Sequence, residues 1–119
     1  MSSITIDLER DPQLAFRIDT FQVPEAARAE FEAAMRRNLA FLHTLPGFQG
    51  HVAFSKTGGP TAFDVTTIAI WKDQQVMEAA GARVREYYRS IGFDPPAAMA
   101  RWGVRGEMGN YRAPPELQR

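Results

Sequence analysis

Asn38 is a polar side chain on an otherwise apolar helical stripe, between Met35 and Leu42. A buried amide must find hydrogen-bond partners or destabilise the fold. Asn38 could therefore orient a ligand carbonyl or hydroxyl in a pocket between helix and sheet. It could equally hold a neighbouring backbone carbonyl, and the sequence leaves both roles open.

Three aromatic side chains are the next candidates for substrate contacts. Trp71 ends a predicted strand and faces the same way as Thr67, so its indole N–H could hold an oxygen of an aromatic substrate. Trp71 could also simply fill the core at the mouth of the sheet. Tyr87 and Tyr88 flank one stripe of a later helix, and at least one of them should face the core with its hydroxyl seeking a partner.

The remaining chemistry-bearing residues are sparse. His43 and His51 stand eight residues apart, on a predicted helix and a predicted strand, so only the tertiary fold could combine them in a metal site. The chain has no cysteine, which excludes disulfides, thiolate metal sites and cysteine nucleophiles. No nucleophile elbow, phosphate-binding glycine loop, dinucleotide fingerprint or H-E-x-x-H motif occurs.

Length and charge limit the possible partners. The 119 residues suit one domain, and 14 basic residues balance 14 acidic ones. Zero net charge argues against a general binder of nucleic acid or anionic membranes. No apolar run approaches the roughly 18 residues that span a bilayer, and residues 1–10 do not resemble a signal peptide. We expect a soluble, cytoplasmic protein.

The elements that position these residues follow from hydrophobic periodicity. Period-two alternation predicts strands over residues 14–23, 48–56, 62–71 and 103–111. Helical spacing predicts one helix from Pro24 to the Pro46-Gly47 stop, a second capped by Asp73, and a short third one from Asp94 through Trp102. The order β-α-β-β-α-β predicts an α+β, ferredoxin-like fold with an antiparallel sheet. Residues 1–13 form an arm that could add an edge strand, residues 14–112 the domain, and residues 113–119 a tail.

The predicted strand faces favour a homodimer. In the second strand, Phe48, Gly50, Val52 and Phe54 should point one way, with His51 and Ala53 the other. The third strand is apolar on both sides, yet two helices cover only one face of a four-stranded sheet. A second copy of the sheet would cover the helix-free face. In a monomer, the third helix, the arm and the tail would have to do so.

Several segments together resemble the antibiotic biosynthesis monooxygenase superfamily, over about residues 14–112. They are Pro46-Gly47-Phe48 after a long helix, a Gly-Gly hairpin, and a strand from Asp64 to Trp71 that runs into a helix at Lys72-Asp73. Gly92-Phe93-Asp94-Pro95 and Gly103-Val104-Arg105 resemble a largely uncharacterised bacterial subgroup. The resemblance implies a dimeric α/β barrel. It also implies kinship with cofactor-independent monooxygenases that oxidise polyketide phenols to quinones, so no cofactor is expected.

Few of the family's characteristic site residues occur at the matching positions of this sequence. Trp71 matches the family's tryptophan at the strand-to-helix junction. Thr67 and Met77 stand where the quinone-forming enzymes have an asparagine and a tyrosine. The haem-degrading branch needs a histidine and a tryptophan in the second helix; this helix has neither, and only Tyr87 or Tyr88 could ligate iron there.

We therefore predict a cofactor-independent monooxygenase that acts on a small aromatic or quinol-like substrate. The predicted catalytic residues are Trp71, Asn38 and Tyr88; the predicted substrate-binding residues are Thr67, His51, Tyr87, Met77 and Phe54. Two alternatives remain. One is a non-catalytic, small-molecule-binding dimer of the same fold, and the other is an isomerase or decarboxylase that uses His51 as its base.

Overall fold

Four alternating segments pair into one antiparallel sheet in the computed structural model, which describes residues 3–119. The strands are β1 (Ala15–Gln22), β2 (Phe48–Ser55), β3 (Val65–Trp71) and β4 (Arg105–Arg112), in the order β2-β3-β1-β4. The helices are α1 (Arg28–Leu42), α2 (Gln74–Ser90) and α3 (Pro95–Trp102). The predicted β-α-β-β-α-β arrangement is confirmed, with α3 inserted before the last strand.

Aspartate caps determine where α2 and α3 begin. The Asp73 carboxylate accepts a hydrogen bond from the Val76 amide at 2.8 Å, and the Asp94 carboxylate accepts one from the Ala97 amide at 3.3 Å. Each bond satisfies an amide that has no partner within its helix. The α1 helix has no such cap and begins only at Arg28, after a short 3-10 turn.

Strand register decides which side chains the helices cover. On β1, Ala15 pairs with Trp71, Arg17 with Ala69, and Asp19 with Thr67, so all six point to the same side of the sheet. That side packs against the helices, because Ala15, Trp71 and Met77 of α2 belong to one buried cluster. A second buried cluster joins α1 to the other end of the sheet; it contains Val23, Phe31, Val65 and Val104.

A β-bulge changes the predicted faces of β2. The register shifts between Phe48 and Gly50, where Gly50 has a φ of 135° that favours glycine. Phe48 consequently pairs with Trp71, and their ring centroids lie 4.9 Å apart. The prediction that Phe48 shares a face with Val52 and Phe54 is therefore wrong, because Phe48 lies on the helix-covered side.

The helix-free face, which we call the open face, stays largely uncovered in the single chain. It carries Ile18, Val52, Phe54, Ile68 and Tyr111, and Phe54 and Tyr111 remain 49% and 55% exposed. The arm covers only one end of this face. There Ile4 lies close to Gly50, since its Cγ1 would be 3.0 Å from a Cβ added to that glycine.

The other two segments that could have covered the open face lie elsewhere. Met99 and Trp102 of α3 pack on the helix-covered side, and Leu117 of the tail is 74% exposed. The arm forms no strand between residues 3 and 13, so the extra edge strand that the sequence allowed is absent there. Within residues 3–119, no helix is both long and apolar enough to cross a membrane.

Candidate functional site

A cavity of about 410 Å³ lies between the helix-covered face of the sheet and the three helices. Its volume is in the range of sites that hold small organic ligands. Much of its wall is apolar, with Phe31 from α1, Val84 from α2 and Met99 from α3. The exposed lining residues, Arg17, Arg85 and Met108, mark the side on which the cavity opens to solvent.

Five of the eight predicted site residues line this cavity. They are Asn38 from α1, Thr67 and Trp71 from β3, and Met77 and Tyr88 from α2. The sequence placed them on three separate elements, and the fold brings them to one space.

The polar atoms of Thr67 and Trp71 are available to a ligand. Both residues are buried, at 7% and 4% exposure, and neither side chain hydrogen-bonds to another group among residues 3–119. No fully buried polar side-chain atom in that range lacks a partner, so the Thr67 hydroxyl and the Trp71 indole N–H must keep some accessible surface. Both residues line the cavity, which is the space in which a ligand could reach these two groups.

Asn38 uses only part of its hydrogen-bonding capacity within the protein. Its Oδ1 accepts a hydrogen bond from Arg37 Nε at 3.1 Å, and within residues 3–119 its amide nitrogen donates to no backbone carbonyl, the alternative that the sequence left open. The amide nitrogen of Asn38 carries two further donors, and the residue lines the cavity.

Tyr88 supplies a third donor, from α2. Burial raises the pKa of Tyr88, while the positive charge of Arg37 opposes the rise and the carboxylate of Asp19 adds to it. The phenol therefore stays protonated at neutral pH and can donate its hydrogen to a ligand oxygen.

Sequence reasoning missed two charged residues of the cavity, Arg17 and Asp19. Arg17 Nε donates to Asp19 Oδ1 at 2.7 Å, and both side chains line the cavity wall formed by β1. Burial raises the pKa of Asp19, although the hydrogen bond and charge of Arg17 oppose this. The alternation of β1 did separate these residues from Phe16 and Ile18, but it could not tell which side the helices cover.

Three predicted site residues lie away from the cavity, and their placement is corrected here. His51 faces His43 at the end of α1, with 2.8 Å between His51 Nδ1 and His43 Nε2. Tyr87 stacks on Phe41 with ring centroids 4.0 Å apart, because neighbouring helical residues point about 100° apart. Phe54 lies on the open face, since strand neighbours alternate between faces.

In the described part of the chain, the His43–His51 pair has no third potential ligand beside it. No three side chains of the types His, Asp and Glu come together within residues 3–119 in a way that could hold a metal ion. Burial lowers the pKa of His51, and the neighbouring His43 lowers it further.

Comparison with known proteins gives one family match and several structural ones. The sequence profile of the antibiotic biosynthesis monooxygenase family matches residues 16–83. Among solved structures, SnoaB, a cofactor-independent oxygenase from Streptomyces nogalater, is 26% identical with a TM-score of 0.65; the match covers 90% of this chain and 99% of SnoaB. No curated protein sequence matches the chain significantly.

Two more distant structures share the fold. A conserved protein from Methanosarcina mazei is 19% identical with a TM-score of 0.61, over 88% of this chain and 98% of that one. The heme-degrader MhuD from Mycobacterium tuberculosis, solved with two hemes in its active site, is 17% identical with a TM-score of 0.51, over 83% of this chain and 94% of MhuD.

Proposed function

Because the chain belongs to the antibiotic biosynthesis monooxygenase family, we propose that it is a cofactor-independent oxygenase that acts on a small aromatic or quinol-like substrate. The observation that carries this proposal is the convergence of hydrogen-bond donors from three elements on one apolar cavity. Asn38, Trp71 and Tyr88 provide these donors. The similarity to SnoaB, itself a cofactor-independent oxygenase, supports the absence of a cofactor.

The proposed chemistry needs an electron-rich substrate anion. The Trp71 indole N–H, the Asn38 amide and the Tyr88 hydroxyl stabilise the negative oxygen, while apolar walls hold the ring and exclude water. The anion transfers electrons to dioxygen. One oxygen atom becomes a carbonyl oxygen on the ring, and the other leaves as water with the two hydrogens that the substrate has lost.

A second candidate function is binding of a small aromatic molecule without turnover. It is favoured by Thr67 and Met77, which line the cavity where the resemblance leads us to expect an asparagine and a tyrosine. Met77 has no hydrogen to donate, whereas the Thr67 hydroxyl can both donate and accept. The two candidates share the cavity and differ in whether oxygen is consumed.

We also propose that two copies pair through the open face. Ile18, Val52 and Ile68 lie side by side across three strands of that face, and Phe54 and Tyr111 are largely exposed beside them. A contiguous exposed apolar surface of this kind marks an interaction site.

Oxygen uptake in the presence of a panel of anthrones and naphthols tests the proposed function. We expect Trp71→Phe to lower kcat/KM by about a hundredfold, since one lost donor to a developing oxyanion costs about that much. Trp102→Phe is the matched control. It also removes an indole N–H from the cavity wall, but that N–H already donates to Glu30 Oε2 at 2.9 Å.

Parallel anaerobic binding, followed by tryptophan fluorescence, separates the two candidate functions. Binding without oxygen uptake would support the non-catalytic candidate, and the absence of both would contradict the two candidates alike. Equal rates for Trp71→Phe and the unmodified protein would refute the role assigned to Trp71.

A further inference from the structure

The cavity contains a single carboxylate. Among its lining residues within the described part of the chain, Asp19 is the only acid, and neither histidine is present. The other ionisable lining groups are the guanidinium groups of Arg17 and Arg85, which are donors only, and Tyr88, whose phenol is protonated at neutral pH. A neutral phenol or anthrone that enters this cavity therefore has one protein group able to take its proton.

We propose that Asp19 is the catalytic base of this site, taking a proton from the bound substrate, and that Arg17 is the residue that positions it. This inference rests on the proposed function, which requires a substrate anion. In the step, the substrate's O–H or C–H bond breaks and its electron pair stays on the substrate. A new O–H bond forms on the Asp19 carboxylate, and this proton later leaves with the water that is produced.

The geometry leaves one oxygen of Asp19 free for this task. Arg17 Nε bonds to Oδ1 at 2.7 Å, and within residues 3–119 no side chain or amide bonds to Oδ2. Asp19 lies in the middle of β1, one of the two inner strands, opposite Thr67 on β3 and Met108 on β4. Its side chain is 23% exposed, so it is shielded but still reached from the cavity.

The charges around Asp19 come from three elements. Arg17 acts from its own strand, and Tyr88 and Arg85 face the cavity from α2. The positive charge of Arg37, on α1, lowers the pKa of Tyr88 and so opposes the effect of burial. The residues that face Asp19 from β3 and β4, Thr67 and Met108, are uncharged.

These surroundings suit a base. Burial raises the pKa of Asp19 above that of an exposed aspartate, even with Arg17 opposing the rise. The carboxylate is thus a stronger proton acceptor than it would be in water. Arg17 holds one oxygen in place without occupying the other.

Chemical rescue is the most specific test of a carboxylate base. We expect Asp19→Ala to lower kcat with an anthrone or naphthol by about a hundredfold or more, the usual contribution of a positioned base. Added formate or acetate should restore part of the rate, and acetate, the stronger base, should restore more. Glu86→Ala is the matched control, because Glu86 is an exposed carboxylate on α2 that does not line the cavity.

The isosteric Asp19→Asn variant gives a second readout. It does not require an added carboxylate to enter the space that alanine leaves. The pH profile of kcat/KM for the unmodified protein should rise through the pKa of Asp19, and this limb should disappear in Asp19→Asn. A merely structural role would change neither the profile nor the response to carboxylates. Circular dichroism identifies any variant that fails to fold. If one of the two Asp19 variants does not fold, the other one tests the role of Asp19.

The outcomes distinguish this inference from the proposed function. If the unmodified protein consumes no oxygen with any substrate, the proposed function fails, and the role of Asp19 as a base fails with it. If the unmodified protein is active but neither variant loses activity, or if the lost activity is not rescued and the pH profile is unchanged, only the assignment of Asp19 is overturned.

Discussion

Replacing Phe54 with glutamate should separate two copies that pair through the open face. Phe54 is 49% exposed in the single chain. A partner sheet would cover about 100 Å² of it, worth about 2.5 kcal/mol at about 25 cal/mol per Å². Since a twofold interface contains the residue twice, the substitution should weaken pairing by about 5 kcal/mol, which raises the dissociation constant by more than a thousandfold. The cost of burying two carboxylates adds to this value.

Sedimentation velocity over a wide range of protein concentrations measures the effect. The unmodified protein should sediment as a dimer, and Phe54→Glu as a monomer that keeps its circular dichroism spectrum. Ile91→Glu is the matched control, because Ile91 is also largely exposed, at 41%, but lies at the end of α2 away from the open face. A monomeric unmodified protein, or a Phe54→Glu variant that stays dimeric at every concentration, would refute the proposed pairing.

Two further predictions concern stability. Gly47→Ala should lower the free energy of unfolding in urea by about 3 kcal/mol, because φ is 78° and the new Cβ would clash with Val76 Cγ1. Gly92→Ala has a similar φ of 68° but open space, so it should cost only about 1 kcal/mol, and equal losses would argue against the clash. Because His51 has a folded-state pKa below 6.5, the unfolded chain takes up the proton first, and stability should fall as pH drops below 6.5. His51→Gln should flatten this decline in pH-dependent unfolding experiments, and an unchanged slope would contradict the assigned cause.

Local sequence signals were sufficient for the order of the elements. The caps at Asp73 and Asp94 are one-residue interactions with a fixed geometry, so the sequence located the starts of α2 and α3 correctly. Strand alternation likewise identified the four strands, with ends displaced by at most three residues.

The faces of the strands were harder to predict, because they depend on contacts between elements. A single bulge at Gly50 moved Phe48 to the opposite face, and no period-two pattern reports an inserted residue. Tyr87 and Tyr88 both fit the helical stripe, yet only Tyr88 reaches the cavity. His51 does lie on the helix-covered side, but it sits on an edge strand beyond the end of α1, where it meets His43 instead.

The residues that break the apolar pattern of the helix-covered side are the ones that meet at the cavity. Asn38 interrupts the stripe of α1, Thr67 is the one buried polar residue among those described, and Arg17 and Asp19 place charges beneath the helices. Each lowers stability relative to a well-packed apolar side chain, and so does a cavity left unfilled. Asn38, Thr67 and the Arg17–Asp19 pair come from three different elements, and such departures would be scattered over the core if they were accidents of packing. Their convergence on one 410 Å³ space is a physical reason, independent of family membership, to regard that space as the functional site.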